Sequence, residues 1–306
     1  MAAQDGLHVA SARVWVELLH AEVASLLAAA GIPVLHIKGP TVALWLYGAG
    51  ERDWGDVDVL VAPGQMQDAL EVLYAHQFVD RYPGVNRGTS TDHAVTLHRV
   101  DPAIGGDEVD VHDRFVGIDS DAARAFELLW SRREPARLAN VDVWFPDLTS
   151  RAVLVCLNTA RSSASDKAHE DLRRLLAAPV EWDLVVSLAR RLGALPAMRA
   201  GLELSPAGQE RVTEIGLASV AVTPEWRMRV AGAPRTALRL DELRRLPWTS
   251  KAPVLARWIA PPPSIMRMRE PGMGEGWPAL CGAYLRRLGQ GLRSLPASAR
   301  AFYGTR

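Results

Sequence analysis

The sequence predicts an α+β protein, a mixed sheet flanked by helices and followed by a mostly helical C-terminal lobe. Three observations predict it. Between about residues 30 and 115 strand-like and helical periodicities alternate in the order β–α–β–α–β–β. From about Asp121 onward the apolar spacing is helical almost throughout. The 306 residues suit two domains at roughly 150 residues each, with a boundary expected between 1–120 and 121–306.

The first element is a helix, because Val16, Leu19, Val23, Leu26 and Leu27 recur at helical spacing. Gly31 and Pro33 break it ahead of the apolar run VLHI, a strand. Lys38-Gly39-Pro40 stops that strand, and TVALWLYG follows as a short helix that Thr41 can cap. A polar loop through Gly48, Gly50 and ERDWG leads to the strand DVDVLVA. Pro63-Gly64 ends it, and Met66, Ala69, Leu70, Leu73 and Phe78 mark an amphipathic helix. HAVTLHRV and, after Gly105-Gly106, GDEVDVHDRF alternate as strands. Beyond these come the helices DAARAFELLW, TSRAVLVCLNTA, HEDLRRLLA and EWDLVVSLARRLGA, with one strand at VDVWF. Three prolines at residues 261–263 force an extended connector before a last helix, ALCGAYLRRLGQGLRSL.

Hydrophobic residues make up 48% and charged residues 23%, which excludes a disordered chain. No apolar run approaches the roughly 18 residues a membrane helix needs, and the N-terminus lacks a basic start before an apolar core, so a cytoplasmic protein with no membrane partner is expected. Cys156 and Cys281 stand far apart in apolar or small-residue surroundings, which excludes a disulfide framework and a thiolate metal site. The zero net charge hides a gradient. Residues 1–120 carry 17 acidic and 7 basic side chains, residues 121–220 carry 13 of each, and residues 221–306 carry 5 and 15. A carboxylate-rich front suits divalent cations; a basic rear suits phosphates or an acidic acceptor, or simply attracts the front.

The chemistry concentrates in Gly55-Asp56-Val57-Asp58-Val59-Leu60-Val61. Residues two apart on a strand share a face, so Asp56 and Asp58 point together while the valines point the other way. Two carboxylates aimed at one place repel unless a cation lies between them, and hard oxygen ligands select Mg²⁺ or Mn²⁺. The strand Glu108-Val109-Asp110-Val111-His112 puts Asp110 and His112 on one face. Beside the first strand, Asp110 would complete a metal set of Asp56, Asp58 and Asp110 and could accept a proton from an attacking hydroxyl. Upstream, the turn through Lys38, Gly39 and Thr41 joins a strand to a helix and offers backbone N–H groups to phosphates. Lys38 is one of only three lysines in the chain. With Arg52 it is a candidate phosphate ligand, and His112 a further candidate contact to the nucleotide.

The motifs Ile37-Lys38-Gly39-Pro40, Arg52-Asp53-Trp54-Gly55-Asp56-Val57-Asp58-Val59-Leu60-Val61 and Val109-Asp110-Val111-His112 resemble those of the bacterial uncharacterised nucleotidyltransferase family within the polymerase-beta-like superfamily. The resemblance implies a minimal nucleotidyltransferase fold in residues 1–120, two-metal catalysis, and a metal-binding role for Asp56 and Asp58 with Asp110 as the third carboxylate. It also implies an NTP substrate, with ATP expected. The expected activity is Mg²⁺-dependent transfer of an NMP to a hydroxyl or similar nucleophile on a small molecule or peptide. The alternatives are a toxin-like enzyme that modifies tRNA or protein, with a partner encoded by a neighbouring gene, and a catalytically silent binding module. Three converging carboxylates argue against the last.

Overall fold

A computed structural model describes residues 2–82, 94–99, 108–263, 266–267, 274 and 276–304. The chain folds as two compact units, one of residues 1–81 with 93–221 and the other containing residues 222–306. The two compact units divide near residue 221. The helices from Leu148 onward pack mainly on one another, around the buried helix Leu148–Arg161, within the first unit.

The first unit is built on a five-stranded sheet of order β1-β2-β5-β4-β3, with β1 at Val34–His36, β2 at Val57–Val61, β3 at Phe78–Asp80, β4 at Ala94–Arg99 and β5 at Val109–His112. β2 and β5 run parallel; the other pairings are antiparallel. The alternation read from the sequence sets which face is buried. Val57, Val59, Val61, Val109 and Val111 enter one core with Val16, Leu19, Val23 and Leu27 of α1 (Ala2–Ala29) and Ala69, Leu70 and Leu73 of α3 (Met66–Ala75). Each such aliphatic side chain withdrawn from water contributes about 1.5–3 kcal/mol. α2 (Pro40–Leu46) fills the connection between β1 and β2.

Two elements differ from the sequence reading. The helix expected to reach Phe78 stops at Ala75, Gln77 adopts φ 68°, and Phe78 begins β3. Phe78 is still core-facing, with Arg99 stacked 4.8 Å from its ring centroid, so burial at a helix-compatible spacing disguised a strand. The strand expected at VDVWF is the second half of a hairpin, β6 (Arg133–Leu138) and β7 (Val141–Pro146). Ala139 and Asn140 both take positive φ at its turn, as a two-residue hairpin requires. β6 escaped notice because REPARL carries a proline and three charges, which its edge position tolerates.

The helices that complete the first unit start at side-chain caps where the sequence offers them. Asp121, Asp147, Ser165 and Ser205 accept from backbone N–H groups at the starts of α4 (Ala122–Ser131), α5 (Leu148–Arg161), α6 (Asp166–Ala177) and α9 (Pro206–Glu214). α5 is buried almost along its whole length and crosses α8 (Leu195–Leu202) so closely that a Cβ on Gly201 would fall 2.1 Å from the Cys156 carbonyl oxygen. α7 (Trp182–Arg191) lies between them in sequence.

The second unit holds α10 (Pro224–Val230), α11 (Arg235–Arg245), α12 (Trp248–Ile259) and α13 (Trp277–Gly304). Arg245 bridges Glu225 at 2.8 Å and Asp241 at 2.7 Å within it. α12 ends just before the expected proline connector, and the last helix runs further in both directions than the sequence suggested. Among the described residues no helix is long and apolar enough to cross a membrane.

Candidate active site

The parallel register of β2 and β5 sets Asp58 directly beside Asp110 and Leu60 beside His112. Three groups gather around Asp58, which is 3% exposed. His112 Nε2 lies 2.9 Å from Asp58 Oδ1, with the N–H donating, and the Lys38 ammonium forms an ion pair with the same oxygen. Asp110 stands alongside, its Oδ1 accepting from Thr96 Oγ1 on β4 at 2.6 Å. Ligand atoms of Asp58, Asp110 and His112 fall within 4.8 Å of one another, the one such group of three among the described residues.

Asp56 is not in that group. It precedes β2, and although part of its surface meets solvent, burial and the neighbouring Asp58 charge raise its carboxyl above the usual range, with Lys38 pulling the other way. Burial alone would also raise Asp58. The hydrogen bond from His112 and the charge of Lys38 overcome it and hold Asp58 well below the usual range, so it stays ionised. His112 is lowered by burial and by Lys38, against the pull of Asp58.

The turn that carries Lys38 is fixed by its glycine. Gly39 has φ 57° and ψ −109°, and a Cβ there would meet Trp54 at 3.3 Å, so no other residue fits without strain. Gly39, not Thr41, is the cap of α2, and Pro40 occupies the first helical position, where its missing N–H costs nothing. Thr41 is buried and turns its hydroxyl back to the Lys38 carbonyl at 3.4 Å. Arg52, expected to contact phosphate, is 9% exposed and committed elsewhere. Its Nε and Nη2 each lie 2.7 Å from the Asp171 carboxylate on α6, and Nη1 donates to the Gly39 carbonyl at 3.1 Å. Its geometry is that of a strut between α6 and the turn.

The site thus combines a strand-to-helix turn that carries a lysine with a buried aspartate paired across a parallel strand with a second one. The family model of the uncharacterised nucleotidyltransferases matches residues 10–207. The chain belongs to this nucleotidyltransferase family. The matched span covers the sheet and the helices of the first unit through α8. Two solved structures are similar to this nucleotidyltransferase-family chain. One is the solution structure of the antibiotic-resistance factor ANT(2'')-Ia, at 12% identity over 58% of this chain and 94% of that one, with a TM-score of 0.39. The other is an antigenic nucleotidyltransferase-like protein from Paracoccidioides brasiliensis, at 14% identity over 63% and 92% of the two chains, with a TM-score of 0.40. No match was found among curated proteins.

Three features around this candidate site lay beyond sequence reasoning. The first is Asp171, whose partners Arg52 and Tyr47 (hydroxyl to Oδ1, 2.6 Å) are more than a hundred residues away. The second is a fully buried pair, His20 of α1 and His36 of β1, with their Nδ1 atoms 2.8 Å apart. One ring must donate and the other accept, and burial keeps His20 neutral, lowered to about 4 despite the Asp58 charge; burial and His20 also hold His36 well below its usual range. The third is Lys167 of α6, whose Nζ donates to the Asp53 carbonyl at 2.7 Å. Its only sequence signal was the scarcity of lysine.

Proposed function

We propose that the protein transfers a nucleoside monophosphate from an NTP, ATP first among them, to a hydroxyl or similar nucleophile on a small molecule or peptide, with Mg²⁺ or Mn²⁺ as cofactor. The observation that supports this most is the side-by-side register of Asp58 and Asp110, with one carboxylate kept ionised and the other directed by Thr96. The donor set fits a hard divalent cation: Asp58 and Asp110 supply oxygens, and His112, whose Nε2–H is given to Asp58, holds the first of them in place. Asp56 offers a third carboxylate from the same strand start. When bound, such a cation neutralises phosphate charge and polarises the reacting phosphoryl group.

The chain's own residues then divide the work. Lys38, on a turn held rigid by Gly39 and Arg52, brings a positive charge to the phosphates. Asp110 receives the proton of the attacking hydroxyl, for which its second oxygen is the acceptor. His112 keeps Asp58 oriented and ionised. The apolar core behind β2 and β5 fixes both aspartates on rigid strands rather than on loops.

Incubation of the full chain with Mg²⁺, α-labelled ATP and a panel of hydroxylated acceptors tests the reading. Label transfer with pyrophosphate release is expected. Failure of a folded sample to bind any of the four NTPs in the presence of either metal would overturn it. The ten-charge excess of basic residues in 221–306 favours a second reading, in which the acceptor is RNA. Transfer to tRNA that weakens between low and moderate salt would favour it over the first.

A further inference from the structure

Of the 35 basic residues in the chain only Lys38, Lys167 and Lys251 are lysines, and the first two stand at the acidic site. Lys38 ion-pairs with Asp58. Lys167 is the second residue of α6, and its ammonium reaches the backbone oxygen of Asp53, three residues before Asp56. Both lysines act on Asp56 electrostatically.

The position of Lys167 is built, not incidental. α6 is held to the phosphate turn and the helix behind it by a set of directed contacts. Asp171 takes the bidentate Arg52 and the Tyr47 hydroxyl, while Arg174 stacks 4.0 Å from the Tyr47 ring centroid and bonds both the Leu46 carbonyl and Glu51. These fix the helix on which Lys167 sits, yet the lysine itself remains exposed and satisfies a single carbonyl. A structural tether to one carbonyl has no need of a full charge. A cation on a flexible stem beside a carboxylate cluster suits a mobile, multiply charged ligand. Its neighbours include Arg52, and burial of the stem lowers its affinity for the proton, so an incoming anion would be bound with an added gain in charge stabilisation.

We propose that Lys167 is a second phosphate-binding residue, beside Lys38, which grips the terminal phosphates of the NTP and the pyrophosphate that leaves. In the transfer, the acceptor oxygen forms a bond to the α-phosphorus and the bond from that phosphorus to the bridging oxygen breaks. The electron pair departs with pyrophosphate, the charge Lys167 would neutralise, and the acceptor's proton goes to Asp110. The inference rests on the proposed nucleotidyl transfer.

The experiment compares the full-length wild type with Lys167→Ala and Lys167→Arg by calorimetric titration with Mg²⁺·pyrophosphate, which carries no base, and with AMP, which carries no terminal phosphates. Removal of one charge-assisted contact is expected to weaken pyrophosphate binding by roughly 10–100-fold in Lys167→Ala. AMP affinity should not change, and Lys167→Arg should retain most of the pyrophosphate affinity. If Lys167→Ala binds pyrophosphate as the wild type does, the inference falls while nucleotidyl transfer stands. If it loses AMP and pyrophosphate alike, or melts at a lower temperature, Lys167 is a loop tether and the inference is again overturned. A wild type that binds neither pyrophosphate nor any NTP removes the underlying reading as well.

Discussion

Replacing Asp171 by alanine would strip the buried Arg52 guanidinium of its bidentate partner and the Tyr47 hydroxyl of its acceptor at one stroke. The Arg52 and Asp171 side chains are 8% and 4% exposed, so water cannot readily replace what is lost. An uncompensated buried charge costs about 3–5 kcal/mol. For a folding unit of this size, each kilocalorie moves the melting temperature by about 2–4 °C, so a fall of about 6–20 °C is expected. A double variant, Arg52→Met with Asp171→Leu, leaves neither charge alone and should lie within about 2 kcal/mol of the wild type. Thermal and urea melts of the wild type, both singles and the double would measure the coupling. If the double cost the sum of the two singles, the pair would not be the link between α6 and the turn, and Lys38 would owe its position to other contacts.

Stability should fall as the solution is acidified from about pH 6.5 to about pH 4. Over that range unfolded His20 binds a proton that the buried ring, titrating at about 4, does not, which costs about 3 kcal/mol, and His36 acts in the same direction. Urea melts across this range, repeated on a variant with both histidines replaced by leucine, should show a shallower slope in the variant; equal slopes would refute the assignment. Gly39→Ala forces a side chain into the left-handed region against Trp54 and should lower stability by about 1–3 kcal/mol, with a loss of nucleotide affinity read in the same preparation. Asp110→Asn keeps an oxygen for Thr96 and should leave the melting temperature nearly unchanged, yet reduce transfer by roughly 10³-fold through loss of proton acceptance and cation binding; a tenfold effect or less would remove Asp110 from the reaction.

What was legible in the sequence was what depends on near neighbours along the chain. Alternation told which side of β2 and β5 each residue faces, and Gly39 marked a turn whose backbone only glycine adopts. What escaped depends on distant partners. Arg52 reads as a spare cation until Asp171 is found against it, 119 residues on. His20 and His36 read as isolated imidazoles because one belongs to a helical period and the other to a strand period. β6 was hidden because an edge strand may carry charges and a proline that a central strand could not.

The parallel pairing of β2 with β5 has a consequence for how the molecule comes into being. Asp58 and Asp110 are 52 positions apart, and nothing shorter than the whole intervening crossover brings them together. A chain emerging from the ribosome therefore does not set the two carboxylates side by side, and suffers none of their repulsion, until β5, the last of the five strands in chain order, has been made and has paired with β2. Any activity that depends on both aspartates requires that β2 and β5 have paired, so its first appearance would report that the centre of the sheet has closed.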